Sequence, residues 1–415
     1  MTVPATAVNF TTDVDFMTAG DSTATGDFGN WCSVRTYLDH NATTPLCSEA
    51  REGIVAALDV SGNPSSTHEE GREARDLVET ARRDVASLVN AAPADLVFTS
   101  GGTESDSLGI IGSALAAQAR GRPAHVVTAG IEHPATLGAC RALESRGFRC
   151  SLARVDSAGR IDLNHFEELC KEGVALAGFS LANHELGTVQ AIDDIAAVAA
   201  GHDVLLHCDA VQAAGKMAID VAAAGERGVS SLALSGHKIH GPKGIGALWV
   251  RRDVDLGPLI PAGHQERERR PGTENLPGAV GFGAAAVVAA RLLGQARELA
   301  ALTAELEAGL LAIPGVRIHA ADAPRIGNTV NAGIDGALGE AVAAALDLAG
   351  FSVSTGAACT SGSVEPSPVL LAIGLSPGRA REAVRFSLGR GNTSSQIREL
   401  LEVLPSIIAR ARQFR

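Results

Sequence analysis

Between Asp95 and Val250, short apolar runs alternate with longer stretches whose apolar residues recur every three or four positions. The short runs Asp95–Thr99, His125–Ala129, Val174–Leu181, Val204–Cys208, Ser231–Leu234 and Gly246–Val250 predict strands. The longer stretches His68–Asn90, Glu104–Gln118, Pro134–Arg146, Leu163–Lys171 and Ile192–Ala200 predict helices. Regular strand-then-helix alternation predicts an α/β domain built on a mainly parallel sheet, with ligands bound beyond the carboxyl ends of the strands. After the loop His264–Pro277 comes an Ala- and Leu-rich helical stretch, Gly281–Ala312, and then a smaller α+β segment that runs to the C-terminus. Residues 1–35 are rich in Thr, Asp, Ala and Gly with no sustained period, which reads as a flexible extension.

Composition narrows the class. The chain has 415 residues, 46% hydrophobic and 20% charged, enough for two or three domains and a sizeable core. A net charge of −12 with dispersed basic residues leaves no electrostatic footprint for nucleic acid. The cysteines at 32, 47, 140, 150, 170, 208 and 359 form no C-x-x-C, so reduced thiols are expected and neither a disulfide framework nor a metal site. The first basic residue is Arg35, which does not suit a secretory or transit leader. No apolar run looks close to the roughly 20 residues that span a bilayer. A cytoplasmic protein without a membrane partner is expected.

The candidate chemistry centres on Lys238, one of four lysines, in Ser235-Gly236-His237-Lys238-Ile239-His240-Gly241-Pro242-Lys243-Gly244. A lysine held between hydrogen-bonding side chains and glycines suits a Schiff base, and Asp209, at the end of an upstream apolar run, suits a protonated pyridine nitrogen. Together they suggest pyridoxal phosphate. The bland readings are a surface lysine in a turn and an ordinary N-cap aspartate. Ser100-Gly101-Gly102-Thr103-Glu104-Ser105 follows a strand and opens a helix, so it either cradles a phosphate, with Ser235 and His237 as further donors, or is a common Gly/Ser turn. Gln212 either bonds the cofactor's phenolic oxygen or faces water. His133 follows another strand end and either stacks on the ring and moves protons or is structural.

Cys359 alone among the cysteines is embedded in small flexible residues, Ser354–Ser363, where a thiol can reach a substrate and withdraw. Arg385, in an apolar run, must be paired if buried: a substrate carboxylate would satisfy it, and so would a structural ion pair. The cluster Glu266-Arg267-Glu268-Arg269-Arg270 reads as a solvated loop.

Taken together, these motifs resemble the cysteine desulfurases, pyridoxal phosphate enzymes of fold type I (aspartate aminotransferase-like) in the class V aminotransferase family. The resemblance runs from about Thr36 to Arg415 and includes Tyr37–Pro45, Gly62–His68, Gly101–Ser105, Glu132–Pro134, Asp209–Gln212, Ser235–Gly244, Arg270–Asn275 and the cysteine loop. The long loop through Glu365-Pro366-Ser367 is similar to that of the NifS/IscS-like branch. The implied organisation is a large cofactor-binding domain over 50–294 and a small domain formed by 36–49 and 295–415.

The resemblance also implies roles. Lys238 would hold pyridoxal 5′-phosphate and Asp209 its ring nitrogen. Gln212 would take the phenolic oxygen, and Gly102, Thr103, Ser235 and His237 the phosphate. Thr273 would reach the cofactor of a partner subunit, giving a homodimer with shared active sites. His133 would stack and act as acid and base, Arg385 and Asn41 would bind substrate, and Cys359 would be the nucleophile. The implied reaction converts L-cysteine to L-alanine and a persulfide on Cys359, passed to an unidentified sulfur-acceptor protein. Selenocysteine lyases are similar over the same span, and other pyridoxal lyases or transaminases are the further alternative. Asn183-His184-Glu185 departs from the family pattern, placing His184 where an asparagine usually contacts cofactor and substrate. The C-terminal tail by which some relatives engage a scaffold is not expected here, and residues 1–35 have no recognised counterpart.

Overall fold

The computed structural model describes residues 35–355 and 365–413. The expected N-terminal extension and the loop carrying Cys359 lie outside them.

Seven strands form the main sheet: β1 (Leu96–Thr99), β2 (His125–Ala129), β3 (Arg149–Ala153), β4 (Leu176–Ser180), β5 (Leu205–Asp209), β6 (Val229–Ser235) and β7 (Gly246–Val250). Their spatial order is β1-β7-β6-β5-β4-β2-β3. Pairing is parallel from β6 through β3, whereas β7 is antiparallel to both β6 and β1, so β7 alone runs against the others. Every residue of β1, β2, β4, β6 and β7 is buried, which is why these segments read as apolar runs without alternation. The unexpected strand, β3, is the sheet edge. Its Arg149 and Leu152 face solvent, and Arg-Cys-Ser-Leu-Ala carries no β-branched residue to signal a strand.

Helices cover the sheet. Those that matter for the site are α1 (Ser48–Leu58), α2 (Glu69–Leu88), α3 (Gly102–Ser107), α4 (Pro134–Glu144) and α5 (Leu276–Leu292). Helix α3 continues through a π-helical turn at Leu108–Gly112 into Ser113–Ala119. Helix α5 packs on α1 and α2, and two of its glycines are required by close approach. A Cβ on Gly281 would come 2.6 Å from Ile54 Cγ1, and one on Gly283 would come 2.8 Å from the Ala81 Cα.

The apolar stretch Leu276–Leu311 has the length and hydropathy to cross a membrane, contrary to the expectation from sequence. Its most apolar window is 56% buried within the fold, as befits a core helix.

A second core lies around the antiparallel sheet β8 (Val316–Ile318), β9 (Thr329–Ile334) and β10 (Ala383–Ser387), in the order β10-β9-β8. Leu306 and Leu310 of α6 (Ala296–Leu311), Val342 and Leu346 of α7 (Gly339–Leu348) and Ile397, Leu400, Leu404, Ile407 and Ile408 of α8 (Ser394–Ala411) close it. Leu38, from the start of the described chain, packs into this core. The segment 36–44 thereby runs from the second core to the mouth of the main sheet.

The charged cluster after Gly263 departs from the solvated loop expected for it. Glu266 is 9% exposed, accepts from Arg82 Nη1 (2.7 Å) and Nη2 (2.8 Å), and takes the Phe98 N–H at 3.0 Å. Arg270 pairs with Glu104 at 2.8 Å. Glu266, Arg267 and Glu268 all have left-handed backbones, with φ of 48°, 56° and 66°. Non-glycine residues rarely adopt that region, so the buried pair with Arg82 holds a strained turn.

Candidate active site

The expected residues converge at the carboxyl ends of the main-sheet strands. Ser100–Thr103 follow β1, His133 follows β2, His184 follows β4, Asp209 ends β5, and Ser235 ends β6. A 3₁₀ turn, Gly236–Lys238, then brings Lys238 back over the sheet. Lys238 Nζ donates to the carbonyl oxygens of Asn41 and Ala42, the latter at 2.9 Å. The amine is thus held by main chain that is nearly 200 residues away in sequence.

Asp209 is 6% exposed, and its Oδ1 accepts the Val211 N–H at 2.9 Å. Burial, and then the nearby Asp106, push its carboxyl up to about 7. Two residues back on the same face of β5, His207 Nε2 lies 3.1 Å from Asp106 Oδ1 and Nδ1 lies 2.8 Å from Ser231 Oγ. Burial alone pushes Asp106 up to about 8, and Glu132, buried and near Asp209, also to about 8. Asp209 therefore stands on a floor of buried acids that oppose its ionisation. A cation opposite it would restore the charge.

His133 is the N-cap of α4, with Nδ1 accepting the Ala135 N–H at 3.1 Å. Burial and the charge of Lys238 hold its imidazole down at about 4, so the ring is neutral near pH 7. A neutral ring whose Nδ1 accepts carries its proton on Nε2. His133 therefore presents an N–H donor, and its basic nitrogen is already used as the cap. His184 packs edge-on against it, with centroids 5.2 Å apart at 79°. Burial drives the His184 pKa well down, so that ring is neutral too.

Arg385 on β10 is 5% exposed. Its Nη2 donates to Asp39 Oδ1 at 2.7 Å and Nη1 to the His184 oxygen at 3.0 Å, so the structural ion pair exists. Its buried Nε has no hydrogen-bond partner among the described residues. The Asn41 side chain is spent on packing. Nδ2 donates to the His184 oxygen (3.2 Å) and Thr329 Oγ1 (2.9 Å), and Oδ1 accepts from Asn328 (3.1 Å). It is the Asn41 main-chain oxygen that meets Lys238, and it also takes Gln212 Nε2 at 2.8 Å.

Ser235 Oγ is buried without a partner among the described residues, and His237 Nδ1 lies 3.1 Å from Thr43 Oγ1. Thr103 is exposed at the start of α3, and Thr273 is exposed just before α5. A Cβ on Gly102 would come 2.8 Å from Val211 Cγ2, so the turn tolerates no larger residue there. An orphaned hydroxyl, a glycine turn opening a helix, an acid that needs a cation and a positioned lysine together fit pyridoxal 5′-phosphate.

Cys359 lies outside the described residues, but both roots of its loop end at the site. Ser354 exchanges main-chain hydrogen bonds with Arg385. Ser367 Oγ donates to Glu185 Oε2 at 2.6 Å, next to His184. Sequence reading missed Asp39, Lys216, Asp106 and the burial of Glu266. Only Lys216 left a local trace, as a rare lysine four residues after Gln212.

Comparison with known proteins shows the family. The family model for aminotransferase class-V matches residues 36–400. A cysteine desulfurase of Nostoc sp. is 43% identical over 379 residues, covering 91% of this chain and 93% of its own. The cysteine desulfurase IscS of Methanosarcina thermophila is 39% identical, covering 91% and 92%. Among solved structures, a NifS-like protein superposes with a TM-score of 0.83 at 32% identity, over 90% of this chain and 99% of that one. With the match running through both cores, this chain belongs to the aminotransferase class-V family, among its pyridoxal phosphate-dependent, NifS/IscS-like cysteine desulfurases.

Proposed function

We propose that this chain removes sulfur from L-cysteine, releasing L-alanine and leaving a persulfide on Cys359 from which an acceptor protein collects the sulfur. The observation that carries the reading is the convergence of Lys238, Asp209 and His133 at three strand ends, beneath the two roots of the Cys359 loop. When bound, pyridoxal 5′-phosphate supplies the electron sink that makes the substrate's α-proton removable.

The chain's own residues do the rest. Asp209 keeps the ring nitrogen charged, and in doing so gains the cation its buried surroundings demand. Ser235, His237, Thr103 and the Gly101–Gly102 turn would hold the phosphate. Gln212, whose Nε2 lies on the Asn41 oxygen, would serve the phenolic oxygen. Arg385 turns its unpartnered Nε to the substrate carboxylate, and His184 walls the same side. Lys238, as a neutral amine, carries protons between substrate carbons. His133 would stack on the ring and donates from Nε2. The Cys359 thiolate attacks the substrate sulfur: an S–S bond forms, the carbon–sulfur bond breaks, and its electron pair stays on carbon, which takes a proton to become the methyl of alanine. Thr273, exposed before α5, reaches the phosphate in a second copy of the chain, which makes a homodimer with shared sites the working assembly.

The test uses the protein loaded with cofactor and fed L-cysteine or L-selenocysteine. Alanine release from cysteine and a sulfur-mass increment on the Cys359 peptide are expected. Alanine release that proceeds as well after Cys359→Ala would reject the persulfide route.

A second expectation concerns pH. A base or donor held at about 4 stays neutral above that value, so the contribution of His133 persists as pH falls through 6.5 and is lost only toward pH 4. His133→Gln, which keeps an N–H donor, should retain about tenfold more turnover than His133→Ala, within the 10²–10⁴ span of acid–base groups. An acid limb at pH 6.5 that disappears in His133→Gln would contradict the neutral-donor assignment.

A further inference from the structure

Lys216 belongs to none of the roles above, yet it stands at the centre of the site's hydrogen bonds. The turn after β5 places it one helical turn beyond Gln212, and its Nζ donates to Gln212 Oε1 at 2.7 Å. The other end of the same amide, Nε2, donates to the Asn41 oxygen at 2.8 Å. Lys238 Nζ donates to that same oxygen. A main-chain carbonyl oxygen only accepts, so the amide end on Asn41 is the NH₂ and the end that meets Lys216 is the oxygen. Donation therefore runs from Lys216 through Gln212 to the Asn41 oxygen, where it meets the donation from Lys238.

We propose that Lys216 is a positioning residue for this site: by donating to Gln212 Oε1 it fixes the Gln212 amide with Nε2 on the Asn41 oxygen that Lys238 shares. The proposal rests on the reading of Lys238 and Gln212 given above.

The surroundings support it. Lys216 and Lys238 both line a cavity of about 200 Å³ between the two cores, together with His40, His240, Glu298 and Arg390. Burial, then Lys238, then Arg385 pull the Lys216 amine well below the usual lysine value. Lys216 in turn helps to hold His40, His237 and His240 in their neutral forms, after burial. Glu298 is the one carboxylate among the lining residues, and no ion pair joins it to Lys216 among the described residues. The nearest charges that Lys216 meets are thus like charges. An amine whose protonation is disfavoured still donates through its N–H groups, so the hydrogen bond to Gln212 does not depend on a charge at Lys216.

The experiment compares Lys216→Met, Lys216→Gln and Lys216→Arg with the wild-type holoenzyme. The readouts are the pH at which the bound cofactor's visible absorbance changes and the separate values of kcat and KM. Removing the donor that fixes Gln212 Oε1 should shift that pH by about one unit in both the Met variant and the shorter Gln variant, because the Gln212 amide is then no longer held in place. Lys216→Arg, which keeps charge and donors, should stay within about 0.3 of wild type. A parallel fall in kcat, with KM changed less, is expected for Met and Gln.

Met and Gln variants that titrate with the wild type overturn the proposal, as does an equal shift in the Arg variant. Thermal melts of all three separate these results from misfolding, and Gln replaces Met if the latter does not fold. Failure of the underlying reading looks different: the wild type itself would then bind no cofactor and would show no absorbance to titrate.

Discussion

Lys238→Ala is expected to abolish turnover of L-cysteine, with a fall on the order of 10³-fold or more, the scale of losing a covalent catalytic group. Two other basic side chains lie near, but Lys216 is tied to Gln212 and Arg385 to Asp39 and the His184 oxygen. Neither can take the place of an amine anchored on Asn41 and Ala42. The variant should also lack the visible absorbance of the lysine-bound cofactor, while its far-UV spectrum and melting behaviour stay close to wild type. Stability should change little because Lys238 is only partly buried, and the Asn41 and Ala42 main-chain oxygens that accept from it at the cleft can be hydrated. Alanine production near the wild-type rate would refute the assignment of Lys238.

The largest effect on stability is expected from Glu266→Ala. It leaves the Arg82 guanidinium buried at 5% side-chain exposure without its bidentate partner, and it strips the Phe98 N–H of an acceptor. Breaking a buried pair from one side costs about 3–5 kcal/mol. The left-handed run at 266–268 also loses the contact that holds it. Because that run leads to Thr273, weaker cofactor retention should accompany the lower stability. Denaturant midpoints of the wild type and of Glu266→Ala and Glu266→Gln are the measurement, with Gln intermediate because it can still accept from Arg82. A midpoint for Glu266→Ala equal to that of wild type would show that the turn is held by something else. Arg82 also lies over the Phe98 ring at 4.7 Å, a contact that survives in both variants.

The two predictions lie at opposite ends of what could be read without coordinates. Lys238 announced itself through its immediate neighbours, since glycines and hydrogen-bonding side chains around a rare lysine are local facts. Glu266 did the reverse. Five consecutive charged residues look like a solvated loop, and nothing nearby in sequence tells that Arg82, 184 positions away, waits under the sheet to bury one of them. Arg385 was legible as a buried cation in need of a mate, but whether that mate was a substrate or Asp39 depended on the path of the segment 36–44.

Consecutive residues alone determined the apolar runs of the central strands, the amphipathic helices between them and the glycine- and lysine-bearing turns, because backbone propensity and burial on both faces act over a few positions. Predicted and observed bounds coincide for His125–Ala129, Leu163–Lys171 and Gly246–Val250. Tertiary structure alone decided the reversed direction of β7, the edge strand Arg149–Ala153, the capping role that occupies His133 Nδ1, and the hydrogen bonds that join Lys216 to Lys238 through Gln212 and Asn41. Each of these depends on which distant segment arrives beside a given side chain. Burial then turns that arrival into a direction of protonation or a required partner, and no window of neighbouring residues contains that information.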